Sequence, residues 1–256
     1  MQLENSVAVI TGGASGLGEA TVRKFHSMGA MVSIFDMNDE AGEALVKELG
    51  GSVIYQHIDV ASEASVKAGL ESTLREFGAI HICCNFAGIG YAHKVVGRDG
   101  AHNLNDFQKV LDVNLSGSFN MLRLVALAMS KTEPYNEDGS RGVIINTASV
   151  AAYEGQMGQA AYSASKGGVV ALTLPAARDL ASVGIRVNTI VPGMIETPLM
   201  QAASEPVKAS LLQGTLHPKR FGRPEEIASL AVFMVENEYI NAECVRLDAG
   251  IRMQPR

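Results

Sequence analysis

Tyr162 and Lys166 stand four residues apart in the stretch Tyr162-Ser163-Ala164-Ser165-Lys166, so a helix there carries both on one face. A free phenol has a pKa of about 10, and a neighbouring ammonium stabilises the phenolate and draws that value toward neutrality. Such a tyrosine can take the proton of an alcohol during oxidation and return it during reduction. Ser149, thirteen residues upstream, could hydrogen-bond the same oxygen. Asn114, in the run Leu111-Asp112-Val113-Asn114, could hold a water that links Lys166 to solvent. A Tyr-x-x-x-Lys pair alone is common by chance on amphipathic helices, so its meaning depends on what else the chain supplies.

Near the N-terminus the apolar run Val7–Ile10 leads into Thr11-Gly12-Gly13-Ala14-Ser15-Gly16-Leu17-Gly18 and then into a helical pattern. Gly12, Gly16 and Gly18 would permit a tight turn and close backbone approach to a pyrophosphate, beside Ser15 and Leu17. The helix start would offer N–H groups and the positive end of its dipole. Asp36 ends the second apolar run, eighteen residues beyond Gly18, where a dinucleotide fold places the acid that binds the adenosine ribose hydroxyls. The competing reading is a strand-end Asp that caps the next turn; motif and acid at the expected spacing favour the cofactor. A carboxylate repels a 2′-phosphate and the glycine loop carries no Lys or Arg, so the expected cofactor is NAD rather than NADP. Asp59 and Val60 end the third run, at the same sheet edge, within reach of an adenine ring. Asn85-Phe86-Ala87-Gly88 ends the fourth, with small Ala87 and Gly88 letting the chain pass near the cofactor.

The elements that must position these residues follow from hydrophobic period. Short β-branched runs at Val7–Ile10, Met31–Phe35, Val53–His57, Ile80–Cys84, Val143–Asn146, Arg186–Val191 and Cys244–Leu247 alternate with helical stretches at Leu17–Met28, Ala41–Leu49, Glu63–Phe77, Asp106–Met129, Tyr162–Ser182 and Glu225–Val235. Repeated βαβ units predict an α/β fold, a doubly wound (Rossmann-type) parallel sheet of about seven strands with helices on both faces. The expectation is a single dinucleotide-binding catalytic domain over residues 1–256. The polar run Lys131–Arg141 should be an exposed loop. Residues 194–223 are too long for an ordinary connection and read as a substrate lid, with Met194, Leu199 and Met200 offering an adaptable apolar cover.

Composition narrows the class. With 47% hydrophobic residues and a formal charge of −6, the chain reads as globular and lacks the basic stripe of a nucleic-acid binder. No apolar run suits a membrane span or a secretory signal, so no membrane partner is expected and the location reads as cytoplasmic, or the mitochondrial matrix if a targeting segment is missing. Cys83, Cys84 and Cys244 form neither a disulfide framework nor a zinc pattern, and the six histidines show no ligand spacing; no metal is expected.

Together, Thr11-Gly-x-x-x-Gly16-x-Gly18, Asn85-x-Ala87-Gly88, Asn114, Ser149, Tyr162-x-x-x-Lys166 and Pro192-Gly193 resemble the short-chain dehydrogenase/reductase family over essentially the whole chain. The stretches RGVIINTASVAAYEGQMGQAAYSASKGG and RLDAGIRMQP resemble its 3-hydroxyacyl-CoA dehydrogenase branch. The resemblance implies Asn114, Ser149, Tyr162 and Lys166 as the catalytic set, with Ser149, Tyr162 and Gln156 meeting substrate. It adds Tyr162, Lys166, Pro192, Ile195 and Thr197 to the NAD contacts. It also implies a homo-oligomer, a tetramer, as does the single charge, Lys166, between Ser163 and Ala177. Two departures stand out: the family commonly has a second Asn where Phe86 stands, and Gly-Gly where Asp248 precedes Ala249-Gly250.

The expected reaction interconverts an (S)-3-hydroxyacyl-CoA of short or 2-methyl-branched chain and its 3-oxo form. Steroid or secondary-alcohol oxidation is the alternative within this chemistry. A 3-oxoacyl-carrier-protein reductase is opposed by Asp36, and a non-catalytic nucleotide-binding scaffold by the intact Ser149–Tyr162–Lys166 trio. His217, Lys219, Arg220 and Arg223 form a cationic cluster that either attracts CoA phosphates or is a solvated turn.

Overall fold

All five residues of β1, Val7–Thr11, are buried, and a parallel strand buried on both faces needs a layer of helices on each side. A computed structural model describes residues 1–98, 100–197 and 205–255 and supplies both layers. The main sheet continues with β2 (Met31–Asp36), β3 (Val53–His57), β4 (Ile82–Asn85), β7 (Gly142–Thr147), β8 (Ile185–Pro192) and β9 (Cys244–Leu247). Its seven strands lie in the order β3-β2-β1-β4-β7-β8-β9, all parallel. The winding direction reverses between β1 and β4, and the crevice outside their C-terminal ends is where such sheets bind ligands. Among the described residues, no helix is long and apolar enough to cross a membrane.

Period-two alternation divides the core. Ala8 and Ile10 join Val22 and Phe25 of α1 (Gly16–Ser27) on one face, while Val9 joins the cluster of Val66 from α3 (Glu63–Phe77) and Met121 from α5 (Gly117–Met129) on the other. Cys83 and Cys84 obey the same alternation and fall in opposite clusters. Adjacent strand residues point apart, so both remain free thiols, and burial pushes the Cys83 thiol up to about 12, which leaves it unreactive. The remaining helices are α2 (Asp39–Leu49), α4 (Leu104–Leu111), α6 (Ala151–Glu154), α7 (Ala160–Ala181), α8 (Glu205–Leu212) and α9 (Pro224–Glu236).

The strands and long helices lie where hydrophobic period puts them, with ends shifted by one or two residues. Three features differ. The stretch read as one helix from Asp106 to Met129 contains a π-helical turn at Asp112–Ser116. A hairpin, β5 (Val96–Gly97) with β6 (Gly100–Ala101), projects with exposed residues after β4. The long segment 194–223 contains α8 instead of being all loop; Leu199 and Met200, expected in it as apolar cover, lie outside the described residues.

At the opposite edge of the sheet, His81 holds the start of β1. Its Nδ1 accepts the Val7 N–H at 3.0 Å, its own N–H donates to Val7 O and its carbonyl accepts from Val143. Burial lowers the His81 pKa from its ordinary 6.5, because a protonated Nδ1 could no longer accept. A depressed folded pKa means stability that is full above the unfolded value and lost as pH falls through the folded one. Replacing His81 by Ala should cost about 1 kcal/mol. Wild type should also lose stability relative to His81→Gln as pH drops below about 6.5, measured by urea unfolding at several pH values; parallel pH curves would remove His81 from the account.

Candidate functional site

The turn from β1 into α1 is built by close backbone contact. A Cβ on Gly18 would stand 2.0 Å from the Gly12 carbonyl oxygen, and one on Gly12 2.8 Å from the Ala87 nitrogen. Gly12 and Gly16 also adopt positive φ, 63° and 53°, so glycine is required here on two counts. Thr11 ties the loop to the end of β4: its hydroxyl accepts the Ala87 N–H at 3.1 Å and its carbonyl the Phe86 N–H. Ser15 occupies the N-cap of α1, yet its hydroxyl makes no capping hydrogen bond. The first turn of α1, with Leu17, therefore opens toward the crevice with its N–H groups uncapped by that side chain.

Asp36, the last residue of β2, lies beside this loop. One carboxylate oxygen accepts the Ala14 N–H at 3.0 Å and the other the Asn38 N–H at 3.1 Å. It thus both caps the following turn and faces the glycine loop. Asp59 caps its own turn through Ala61 N–H. Val60 is buried, with its carbonyl accepting from Asn120, and packs so closely on Gly117 that a Cβ there would lie 2.7 Å away. Asn85 is placed differently from the expectation of a cofactor contact. Its amide is buried within the sheet and donates to Asn146 at 2.9 Å, because strand alternation turns it inward. Phe86 packs against the α1-side core and Ala87 against the opposite one, while Gly88 lies by Asn114 and Lys166. Pro192 ends β8 and accepts the Val150 N–H; Ile195 is buried and bridged to Gly222, with Thr197 two residues on.

β7 delivers Ser149, and α7 presents Tyr162 and Lys166 on one face as their spacing requires. The Ser149 hydroxyl accepts the Ala151 N–H and is close enough to the Tyr162 phenol to favour its ionised form. Lys166 is buried; its Nζ donates to the Thr147 carbonyl at 2.7 Å and lies over the Tyr162 ring, 5.8 Å from its centroid. The electrostatics differ from the simple expectation. Desolvation pushes the Tyr162 phenol above its ordinary value, with Ser149 pulling the other way, and burial pushes Lys166 down to about 8. Burial and Ser149, rather than the ammonium 5.8 Å from the ring centroid, govern the direction of the phenol's shift.

Asn114 sits in the π-helical turn, fully buried. Its Oδ1 accepts the Ile89 N–H at 2.8 Å, and its Nδ2 donates to Ile89 O at 2.8 Å and to Ser165 Oγ at 3.1 Å. The side chain therefore clamps the Gly88–Gly90 loop to α7 rather than presenting its amide to a water. A Cβ on Gly88 would stand 3.3 Å from Asn114 Oδ1 and 3.6 Å from Lys166 Nζ, so these groups converge at one point. Thr11, Thr147 and Ser165 serve this geometry through hydrogen bonds that single-residue patterns do not reveal; only Thr11, at a strand end before glycines, carried a signal.

A groove of about 550 Å³ runs between the segment 93–96 and residues 151–163, lined by His93, Lys94, Val95, Gln156, Met157 and Ser163, the last next to Tyr162 in the chain. His93 N–H donates to Gly158 O across its end. Gln156 borders the groove, with its Nε2 donating to Gln254 O at 2.9 Å. The expected cationic cluster is partly neutralised. Arg220 forks onto Glu226 at 2.9 and 2.8 Å, and the Arg223 N–H donates to the same carboxylate, which these contacts hold at about 2. Two of the four residues thus cap α9, while His217 and Lys219 are exposed.

Residues 6–208 match the family described as short chain dehydrogenase. The chain is 51% identical over 251 residues to a Homo sapiens protein named 3-hydroxyacyl-CoA dehydrogenase type-2, covering 97% of this chain and 96% of that protein. It is 46% identical over 255 residues to the Drosophila melanogaster protein of that name, covering 99% and 100%. The crystal structure of 3-hydroxyacyl-CoA dehydrogenase type-2 from Mycobacterium avium superposes with a TM-score of 0.94 at 43% identity, covering all of both chains.

Removing the Asn114 clamp should be costly in two ways. Asn114→Ala abandons three hydrogen bonds at a buried position and should destabilise the protein by about 2–3 kcal/mol. Turnover should fall further than stability explains, because the loop beside Lys166 loses its anchor. Chemical unfolding and initial rates on the same preparation check this; a variant with wild-type turnover would show the clamp to be dispensable.

Proposed function

The chain belongs to the short-chain dehydrogenase family, is an oxidoreductase acting on CH–OH groups, and from that premise we propose that it interconverts (S)-3-hydroxyacyl-CoA thioesters and 3-oxoacyl-CoA with NAD. The observation that carries this is the convergence of Ser149, Tyr162 and Lys166 at the crevice entered by the glycine loop and Asp36. The cradle fits a dinucleotide: backbone approach that any Cβ would block, an N-cap hydroxyl left uncommitted and a carboxylate aimed at the ribose position. The same carboxylate disfavours a 2′-phosphate, which supports NAD over NADP.

NAD, when bound, supplies the acceptor for the hydride that leaves the carbinol carbon. Tyr162 takes the hydroxyl proton of the substrate, and Ser149 donates a hydrogen bond to the same oxygen. Lys166 keeps a cation beside the ring and reaches toward the crevice from the Thr147 carbonyl. In reduction the same phenol returns the proton. We assign the acyl group to the groove bordered by Gln156 and Ser163, with residues 194–223 as its lid, within a single catalytic domain. We take short or 2-methyl-branched chains as the preferred substrates; the likeness to relatives named for 3-hydroxyacyl-CoA supports the thioester class.

Leu104, Phe119, Leu127 and Leu174 on α4, α5 and α7 are exposed large hydrophobics. Such surface supports a homo-oligomer, which we take to be a tetramer.

Initial rates over 3-hydroxyacyl-CoA esters, steroids and simple secondary alcohols with NAD test the proposal, and a steroid that outperforms every ester would overturn it. Tyr162→Phe keeps the ring and removes the proton-transferring atom, so turnover should fall by roughly 10² or more while NAD affinity is retained. Oxidation by wild type should rise with pH as the raised phenol ionises. Asp36→Ala should weaken NAD binding by about 1.5–3 kcal/mol and relax discrimination against NADP, measured by equilibrium titration of both; equal use of the two cofactors by wild type would defeat the Asp36 argument.

A further inference from the structure

We propose that Arg246, in the last strand, is a positioning residue for the substrate end, acting through Glu154 to strap residues 251–255 onto the loop that leads into Tyr162. The inference rests on the reading that the groove bordered by Gln156 and Ser163 receives substrate. The loop Glu154–Gln159 needs outside support. Only α6, four residues long, precedes it, and it contains Gly155 and Gly158, the latter at φ 91°. Nothing within so short a helix holds Gln156 and Met157 in place against the groove they line.

The support comes from a distant part of the chain. Arg246 Nη1 and Nη2 fork onto the two oxygens of Glu154 at 2.8 and 3.2 Å. Its Nε donates to Asp248 at 2.7 Å and Nη2 also to Ile251 O at 3.0 Å, while the guanidinium lies 5.4 Å from the Tyr153 ring centroid. Glu154 in turn accepts the Met253 N–H at 3.3 Å and pairs with Arg252 at 3.4 Å. Further along both segments, Gln156 donates to Gln254 O and the Met157 N–H to Pro255 O at 3.0 Å. The tail is thus stitched to the loop from Glu154 to Met157, with the Arg246–Glu154 fork as the only charged link that also reaches the sheet among the contacts just described.

This fork can bear the load. The side chains of Arg246, Glu154 and Asp248 are 23%, 21% and 8% exposed, so water screens them less than a surface pair, and bidentate guanidinium–carboxylate geometry is both strong and directional. Arg246 holds the Glu154 carboxyl below the usual range, so the pair stays charged through neutral pH. The sheet fixes Arg246, Arg246 fixes Glu154, and Glu154 fixes the loop and the tail together. A supporting shell of this kind sets how accurately a reacting group is presented, and small misplacements cost rate steeply.

Arg246→Met, Glu154→Gln, the double variant and Arg246→Lys test the strap, with Glu154→Gln carrying the test where Arg246→Met does not fold. Arg246→Met should raise KM for a 3-hydroxyacyl-CoA by about ten-fold with a smaller change in kcat, leaving NAD affinity within about two-fold. Glu154→Gln should do the same, the double variant should be no worse than the poorer single, and Lys should recover part of the loss. Amide hydrogen exchange should quicken at residues 154–159 in Arg246→Met and stay unchanged in the glycine loop. Unchanged KM and unchanged exchange in a folded variant would overturn the strap, and so would parallel loss of NAD and substrate affinity, which marks a general prop of the fold. Wild type that turns over no ester would defeat the substrate reading alone, because the exchange measurement needs no substrate.

Discussion

Where β1 and β4 end, the chain has no room for side chains. Gly12 passes under Ala87, Gly18 passes under Gly12, and Thr11 bonds both Phe86 and Ala87. This contact holds the first turn of α1 against the end of the neighbouring strand at the point where the winding reverses. Everything chemical is arranged around that crevice: Asp36 from the next strand on one side, Gly88 and the Asn114 clamp on the other. A single Cβ at Gly18 would collide with a carbonyl oxygen, so the constraint is steric and leaves no compromise.

The catalytic side is governed by burial instead. Lys166 enters the interior with a carbonyl partner, and desolvation brings it down to about 8. Tyr162 is pushed the opposite way by the same cause, since desolvation disfavours whichever form is charged. The two shifts diverge: phenol and ammonium are nearly matched in water, and burial raises the one while lowering the other to about 8, so both neutral forms are favoured. The π-helical turn serves this arrangement by aiming Asn114 at the Ile89 backbone and Ser165, which fixes the floor on which Lys166 meets Gly88.

The groove depends on parts of the chain remote from Tyr162 and Lys166 in sequence. The groove borrows one wall from the segment after β4 and the other from the loop before α7, and that loop is held by the tail and the Arg246–Glu154 pair. The segment before α9 instead is held by the Arg220 guanidinium and the Arg223 N–H on Glu226, so one charge that looked free for a phosphate is engaged in starting α9.

Local pattern was enough for the strands and the long helices. Alternation buries Val7–Thr11 on both faces, glycine spacing dictates the first turn, and four-residue spacing puts Tyr162 and Lys166 on one face; each follows from rules that act within a few residues. Asn85 shows where that stops. Its position after β4 suggested the crevice, but the register of β4 against β7 pairs it with Asn146 inside the sheet. The phenol's shift, the clamp role of Asn114 and the neutralisation of Arg220 likewise depend on desolvation and on partners brought from other elements. The strap joining Arg246 to Glu154 spans 92 residues of chain, and such a contact exists only once the sheet has brought the ends of β7 and β9 to the same edge. Sequence spacing decides which residues share a face; only tertiary packing decides which faces meet and how much water is left between them.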